Sequence, residues 1–329
     1  GVGLFGETQP AQDQYDACLQ AAGLTQNLWV EYAQWAIDRY VEAFPDTQLV
    51  VEYAPRFLSS CERKTITDYA AARGVGLQHS GLKPDGGSGV IIDDPATGIA
   101  GCGQYDPILK WGNQVVTGWE GTEWPDANGP AATLWRLLSG LDKHADFILI
   151  DDKQVMDPAR WPYIDFANAH MGRTLADAPS VWVALRETEY DWFPEWGNFT
   201  YWLVQRDSVP GGKTIPLWRV GSAPEGRYTR RTDGASNNHY MYFDVDDGYL
   251  FGGTNAVTIT VTYLDQGHDA WELQYDSVSS GIYKVAGAVQ KNNTGTWQRA
   301  TFSLADARMG NRGAGSTDFR LWDRADGDE

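Results

Sequence analysis

Two glutamates stand where catalytic groups are expected. Glu7 follows the strand-like run at residues 2–6, and Glu120 follows a second run at 115–119. Each has a glycine and an aromatic residue beside it: Phe5 and Gly6 in one case, Trp119 and Gly121 in the other. In parallel β/α folds functional groups gather at the carboxyl ends of strands, where chain turns into loop. Paired carboxylates there suit cleavage of a glycosidic bond, which needs a proton donor on the leaving oxygen and a carboxylate across the sugar. A separation of about 5 Å lets the second carboxylate attack the anomeric carbon with retention, whereas about 6.5–9.5 Å admits a water and inverts. For Glu7 to donate a proton near neutral pH its pKa must be raised, which a neighbouring carboxylate and partial burial both do. This reaction requires no metal and no organic cofactor.

Other strand-end residues complete the candidate site. Gln78 and His79 end the run at 75–79 and are candidates for contact with the sugar or with Glu120, a buried structural histidine being the alternative. Trp119 and Trp124 offer flat faces for a sugar ring, with packing at the barrel mouth the competing role. Arg56 and Asp151 are further polar groups at strand ends, and Glu123, just past Glu120, is a second nucleophile candidate against a solvated loop carboxylate.

The elements that must hold these groups alternate. Strand-like runs at 2–6, 49–53, 75–79, 115–119 and 147–150 are interleaved with helical periodicity at 29–40, 65–73, 131–141 and 160–171. A βαβα rhythm of this kind predicts a parallel sheet covered by helices, either open or closed into a barrel. No GxGxxG or GxxxxGK[ST] follows any strand, which disfavours nucleotide binding. The Gly-, Asp- and Pro-rich segment 83–104 reads as a long functional excursion after the third strand.

Past residue 176 the period changes from helical to two. Residues 257–263 alternate apolar and threonine, as a strand with one buried face requires. Runs at 180–186, 199–205, 239–245, 270–275, 282–289 and 297–304 read the same way, with turns at Gly252-Gly253, Gln266-Gly267 and Asn292-Asn293-Thr294-Gly295 between them. The expectation is an antiparallel β-sandwich of jelly-roll type. Residues 244, 246 and 247 form an acidic cluster that, with Asp265 or Asp318, has the hard oxygen ligands of a calcium site, a solvated turn being the alternative. Arg230-Arg231 beside Asp233 reads as a surface salt-bridge group.

Composition narrows the partners. The 329 residues carry 44 acidic and 26 basic side chains, a formal charge of -18, so phosphate backbones and anionic membranes are repelled and neither nucleic acid nor membrane is expected as a partner. No apolar run approaches the ~20 residues needed to cross a bilayer. Fifteen Trp, sixteen Tyr and eleven Phe supply aromatic faces suited to an oligo- or polysaccharide as well as to core building. Cys18, Cys61 and Cys102 match no zinc spacing; Cys18 and Cys61 fall in neighbouring loops of this scheme and are candidates to pair, three separate thiols being the alternative. The chain opens at Gly1 without an initiator Met and closes just after a strand-like segment, and is read as a piece of a longer protein.

An acid/base Glu ending barrel strand four and a nucleophile Glu ending strand seven is the pattern of the clan-A retaining glycoside hydrolases, and residues 1–175 resemble it. Counting the run at 2–6 as strand four makes 115–119 strand seven and 147–150 strand eight. The resemblance implies α/β plus all-β architecture: residues 1–176 as a partial (β/α)8 TIM-barrel fragment, strands four to eight, and 177–329 as a jelly-roll-like, carbohydrate-binding-like accessory sandwich. Strands one to three would then lie upstream, and five strands alone would leave unpaired, aggregation-prone edges. Glu7 resembles the acid/base and Glu120 the nucleophile. Two positions depart from the family: Gly6 stands where Asn holds the sugar 2-hydroxyl, and Asp151-Asp152 where strand eight often ends in Trp. A non-catalytic glycan-binding protein with a degenerate barrel is therefore the second reading. The sandwich resembles accessory domains of secreted bacterial glycosidases, which implies an extracellular or cell-surface location.

Overall fold

The computed structural model describes residues 17, 20–21, 29–52, 60–80, 112, 114–120, 129–150, 152–186, 198–220 and 227–325; for Glu52, His79, Ser80, Trp119 and Glu120, among others, only the backbone is described. The chain is mixed α/β, with helices, a parallel half-barrel sheet and several antiparallel strands. It divides into two compact units, 1–124 with 139–164, and 125–138 with 165–329.

The first unit is built on strands β1 (Val50–Glu52), β2 (Gly76–Ser80), β3 (Thr117–Glu120) and β4 (Phe147–Leu149). All pairs are parallel and the spatial order is the chain order. Such an order has no reversal point of the kind that opens a nucleotide crevice, and crossovers of one hand put the helices on one side. That side carries α1 (Trp29–Ala43) and α2 (Ser60–Ala72). Ala33 and Ile37 of α1, Ile66, Ala70 and Ala71 of α2, and Val75, Leu77 and Val115 of the sheet form one buried cluster, with Val51 packed against it.

The apolar stripe of α1 differs from the most conspicuous one in its sequence. Its buried residues are small or aliphatic, whereas Trp35 is 57% exposed and stacks on Tyr32 at a centroid distance of 5.9 Å. The two helices are tied by Tyr69, whose hydroxyl donates to Asp38 at 2.8 Å, and by the Arg73–Asp38 ion pair. Gly74 ends α2 at φ +72°, a left-handed conformation that glycine adopts without a Cβ penalty, and Val75 N–H closes onto the Ala70 carbonyl to launch β2.

The second unit contains α3 (Gly129–Asp142) in part, most of α4 (Trp161–His170), and the antiparallel strands. These are β5 (Trp182–Ala184), β6 (Phe199–Tyr201), β7 (Leu203–Gln205), β8 (Ile215–Val220), β9 (Arg227–Arg231), β10 (Tyr240–Val245), β11 (Asn255–Leu264), β12 (Ala270–Ser277), β13 (Gly281–Gln290), β14 (Trp297–Ala307) and β15 (Phe319–Trp322). Strands β13, β12, β15, β10 and β7 form one continuous layer. Strands β11 and β14 form another, whose backbone pairs with the first layer at Ser277–Ala307. Between them lies one core: Met241, Phe243, Trp271, Leu273 and Phe319 from the first layer, Phe302 and Leu304 from the second. The alternation in β11 is kept, Val257, Ile259 and Val261 turning to this core and Thr258, Thr260 and Thr262 to solvent.

One expected strand is two: Trp202, at φ +53°, breaks 199–205 into β6 and β7. Strands β8 and β9 lie beyond the runs expected from sequence, while β15 is the strand-like segment expected near the end of the chain. Arg230 is also corrected. Its side chain is 9% exposed rather than on the surface, donating to the Arg186 carbonyl at 3.0 Å, to Asn198 at 2.9 Å and to Asp207 at 2.7 Å.

Burial shapes one titration strongly. Asp318 is 2% exposed, and burial raises its pKa to about 6, opposed by the amides of Asn311 and Val245 and reinforced by Asp244 and Asp247. Its folded pKa exceeds the unfolded value, so its stabilising contribution is complete below about pH 4 and is lost as pH rises through 6. Urea melts should register a loss of about 2 kcal/mol from this residue between pH 4 and 7, and Asp318→Asn should flatten that decline. An equally steep decline in the variant would place its origin elsewhere.

Candidate functional site

Four of the candidates, Gln78, His79, Trp119 and Glu120, lie at the carboxyl ends of β2 and β3. In register, Gln78 pairs with Gly118 and that with Phe147; His79 pairs with Trp119 and that with Ile148; Ser80 pairs with Glu120 and that with Leu149. Leu77 and Val51 pack into the helix-side cluster. The strand pleat therefore divides the candidates, positions 78 and 120 belonging to the face away from the helices and positions 79 and 119 to the helix face.

Two features fix β3 in place. At its start, the Thr117 amide donates to the Asp146 carboxylate at 2.8 Å while the Asp146 amide donates to the Thr117 carbonyl at 2.8 Å. Two residues before Glu120, Gly118 lies under the Phe147 ring so closely that a Cβ there would collide with it. Glycine is thus required by close approach, and the aromatic cover holds β3 against β4 just below the strand end.

Of the residues singled out by sequence, Gln78 is half-buried on β2, and His79, Trp119 and Glu120 have their backbones at these strand ends. Glu7, Arg56, Glu123, Trp124 and Asp151 lie outside the described residues. Cys61, near the start of α2, is in a disulfide whose other cysteine is outside them too.

The acidic cluster of the second unit is distributed among separate partners. Asp244 pairs with Arg206, Asp246 accepts from the Gly248 amide at 2.8 Å, and Asp247 accepts from Asn311 at 2.8 Å. Asp265 instead holds the 292–294 turn, accepting from the Asn292 amide at 2.7 Å and the Thr294 hydroxyl at 2.6 Å. Among the described residues no group of three or more His, Cys, Asp or Glu is placed to hold a metal ion. No described helix is long and apolar enough to cross a membrane.

A histidine that sequence reasoning passed over, His170, is a structural group. Its ring lies 2.8 Å from both the Phe166 carbonyl and the Ser180 hydroxyl, and burial lowers its pKa. Tyr201 donates to the His170 carbonyl at 2.6 Å, its own pKa pushed up to about 12 by burial. The signal in sequence is an ordinary helix-end histidine, indistinguishable from a solvated one.

No protein-family model and no curated protein matches this chain. Among solved structures it is similar to N2152 from Neocallimastix frontalis at 10% identity, over 92% of this chain and 66% of that one, with a TM-score of 0.28. This chain therefore spans just under two thirds of that protein's length, and a likeness of this size assigns neither fold nor function.

Proposed function

We propose that the chain is a retaining glycoside hydrolase acting on an oligo- or polysaccharide, with Glu120 as nucleophile and Glu7 as acid/base. The proposed frame is the strand four-to-eight portion of a (β/α)8 barrel followed by a jelly-roll-type sandwich. The observation that carries this reading is the position of Glu120, the last residue of β3, in a sheet whose strands run parallel in chain order. Gln78, on the neighbouring strand and the same pleat face, is within the set that would meet the substrate.

In the proposed reaction Glu7 protonates the leaving oxygen as Glu120 forms the glycosyl-enzyme bond; Glu7 then takes a proton from the water that releases the sugar. The cystine at Cys61 supports an oxidising, extracellular or cell-surface location. A panel of neutral aryl glycosides, tested on a protein that carries the complete barrel, should include one from which the phenol is released, the first sugar product keeping the configuration of the substrate by proton NMR. Product of inverted configuration would overturn the nucleophile assignment, and no release from any member would favour the non-catalytic glycan-binding reading, which Gly6 in place of the 2-hydroxyl-binding Asn already supports.

A further inference from the structure

The outer face of the five-strand layer carries an organised polar and aromatic cluster, in which Tyr242 and Gln274 are buried while Tyr240, Tyr283, Arg320 and Trp322 are half-buried and reachable. Residues of odd number in β10, β12 and β15 line the core, so their even-numbered neighbours share the opposite face. Across these three strands the register makes two rows: Tyr240, Trp322 and Glu272 in one, Tyr242, Arg320 and Gln274 in the next.

Arg320 is the centre of the arrangement. Its guanidinium lies 4.0 Å from the Tyr240 ring centroid and 3.5 Å from that of Tyr283. Its Nε donates to Gln274 at 2.8 Å and its Nη1 to the Tyr242 hydroxyl at 3.4 Å. Gln274 in turn donates to Glu272 at 3.3 Å, and Tyr283 is pinned by the Ala314 amide at 2.5 Å. Among the described residues Arg320 has no carboxylate in ion-pair range and its Nη2 has no acceptor. Beside it the half-buried rings of Tyr240 and Trp322 lie within 25° of parallel at 6.4 Å.

We infer that this face is a binding site for a neutral glycan. Flat rings present an apolar surface to the C–H face of a pyranose. The free guanidinium edge donates to sugar hydroxyls, and the Glu272 carboxylate, 14% exposed and shared with Gln274 and with Arg324 at 3.6 Å, retains lone pairs that accept from them, a donor and an acceptor in adjacent rows. The guanidinium is already immobilised between two tyrosines, so binding orders little that is not ordered beforehand. The formal charge of -18 selects against a polyanionic glycan, since the long-range field repels it even where one arginine attracts it. The site lies wholly in the second unit and does not depend on the hydrolase reading.

The test is native electrophoresis of the full chain through gels containing soluble mixed-linkage β-glucan, xyloglucan, galactomannan or arabinoxylan, with polygalacturonate as the anionic comparison. The Glu120→Gln background is used so that turnover does not shorten the glycan. At least one neutral glycan should retard the protein. Trp322→Ala and Arg320→Ala should each weaken that retardation about tenfold or more, and Trp322→Phe should retain most of it. Glu272→Gln, an isosteric change on the same face, should weaken it as well and keeps the test open if an alanine variant fails to fold. Retardation by polygalacturonate alone, by no glycan at all, or undiminished in Glu272→Gln and in the folded alanine variants would overturn the inference. Retardation without turnover in a protein that carries the complete barrel would sink the hydrolase reading and leave this one standing.

Discussion

Glu120→Gln is expected to lower kcat by about a thousandfold or more on any aryl glycoside that the wild-type chain cleaves, with a much smaller change in KM. The amide has the shape of the carboxylate and keeps its contacts to bound sugar, so ground-state binding is largely preserved. It cannot form the glycosyl-enzyme ester, so the covalent step is lost. Glu120→Ala opens space at the same position, and an external anion such as azide should restore measurable turnover by attacking the anomeric carbon from that side. The substitution leaves the anchoring of the strand intact: Glu120 ends β3, while the contacts that hold the strand, from Asp146 and Phe147, engage Thr117 and Gly118. Rate constants measured alongside circular dichroism would separate chemistry from folding. Unchanged kcat in a folded Glu120→Gln variant would remove Glu120 from the mechanism.

The largest effect on stability is expected at Trp271. This residue is 2% exposed on β12, and its indole meets Tyr263 of β11 edge-on at 5.4 Å and Phe302 of β14 at 5.9 Å. It therefore touches both layers of the core at once. Trp271→Ala should cost about 3–5 kcal/mol through lost burial and a cavity that rigid strands cannot close. For a unit of this size the thermal midpoint should fall by roughly 10 °C. Thr260→Ala, on the solvent face of the neighbouring layer, should stay within about 0.5 kcal/mol. Similar losses at both positions would contradict the two-layer core.

Much of this architecture was legible where one period ran uninterrupted. In β11 every second residue from Val257 to Tyr263 is apolar, and the strand spans Asn255–Leu264 as that pattern implies. The parallel strands were legible from short apolar runs between helical stretches, though β1 and β4 keep only three residues each. Other features depend on distant partners. β9 carries Arg227, Arg230 and Arg231, a composition that reads as surface until Asp207, 23 residues away in sequence, neutralises Arg230. Trp202 breaks a run that is largely apolar, because a left-handed backbone at a tryptophan has no composition signal. In α1 the helical period over 29–40 was legible, while the packing against α2 is made by the small or aliphatic Ala33 and Ile37.

The candidate site was legible to the extent that strand ends are. Gln78 and Glu120 occupy one face at adjacent strand termini because strand pairing and pleat together fix both. The cluster around Arg320 was not legible as an arrangement. Tyr240, Arg320 and Gln274 lie on three strands up to 80 residues apart, and only the register of β10 with β15 and of β15 with β12 brings them into contact.

The central claim is that two carboxylates face one sugar, and the most direct measurement is the distance between them in a crystal structure of the chain with a bound glycan. The account predicts carboxyl groups of Glu7 and Glu120 about 5–5.5 Å apart on opposite sides of the anomeric carbon. Either carboxylate directed into the helix layer, or a gap too wide for both to reach the same sugar, would contradict it.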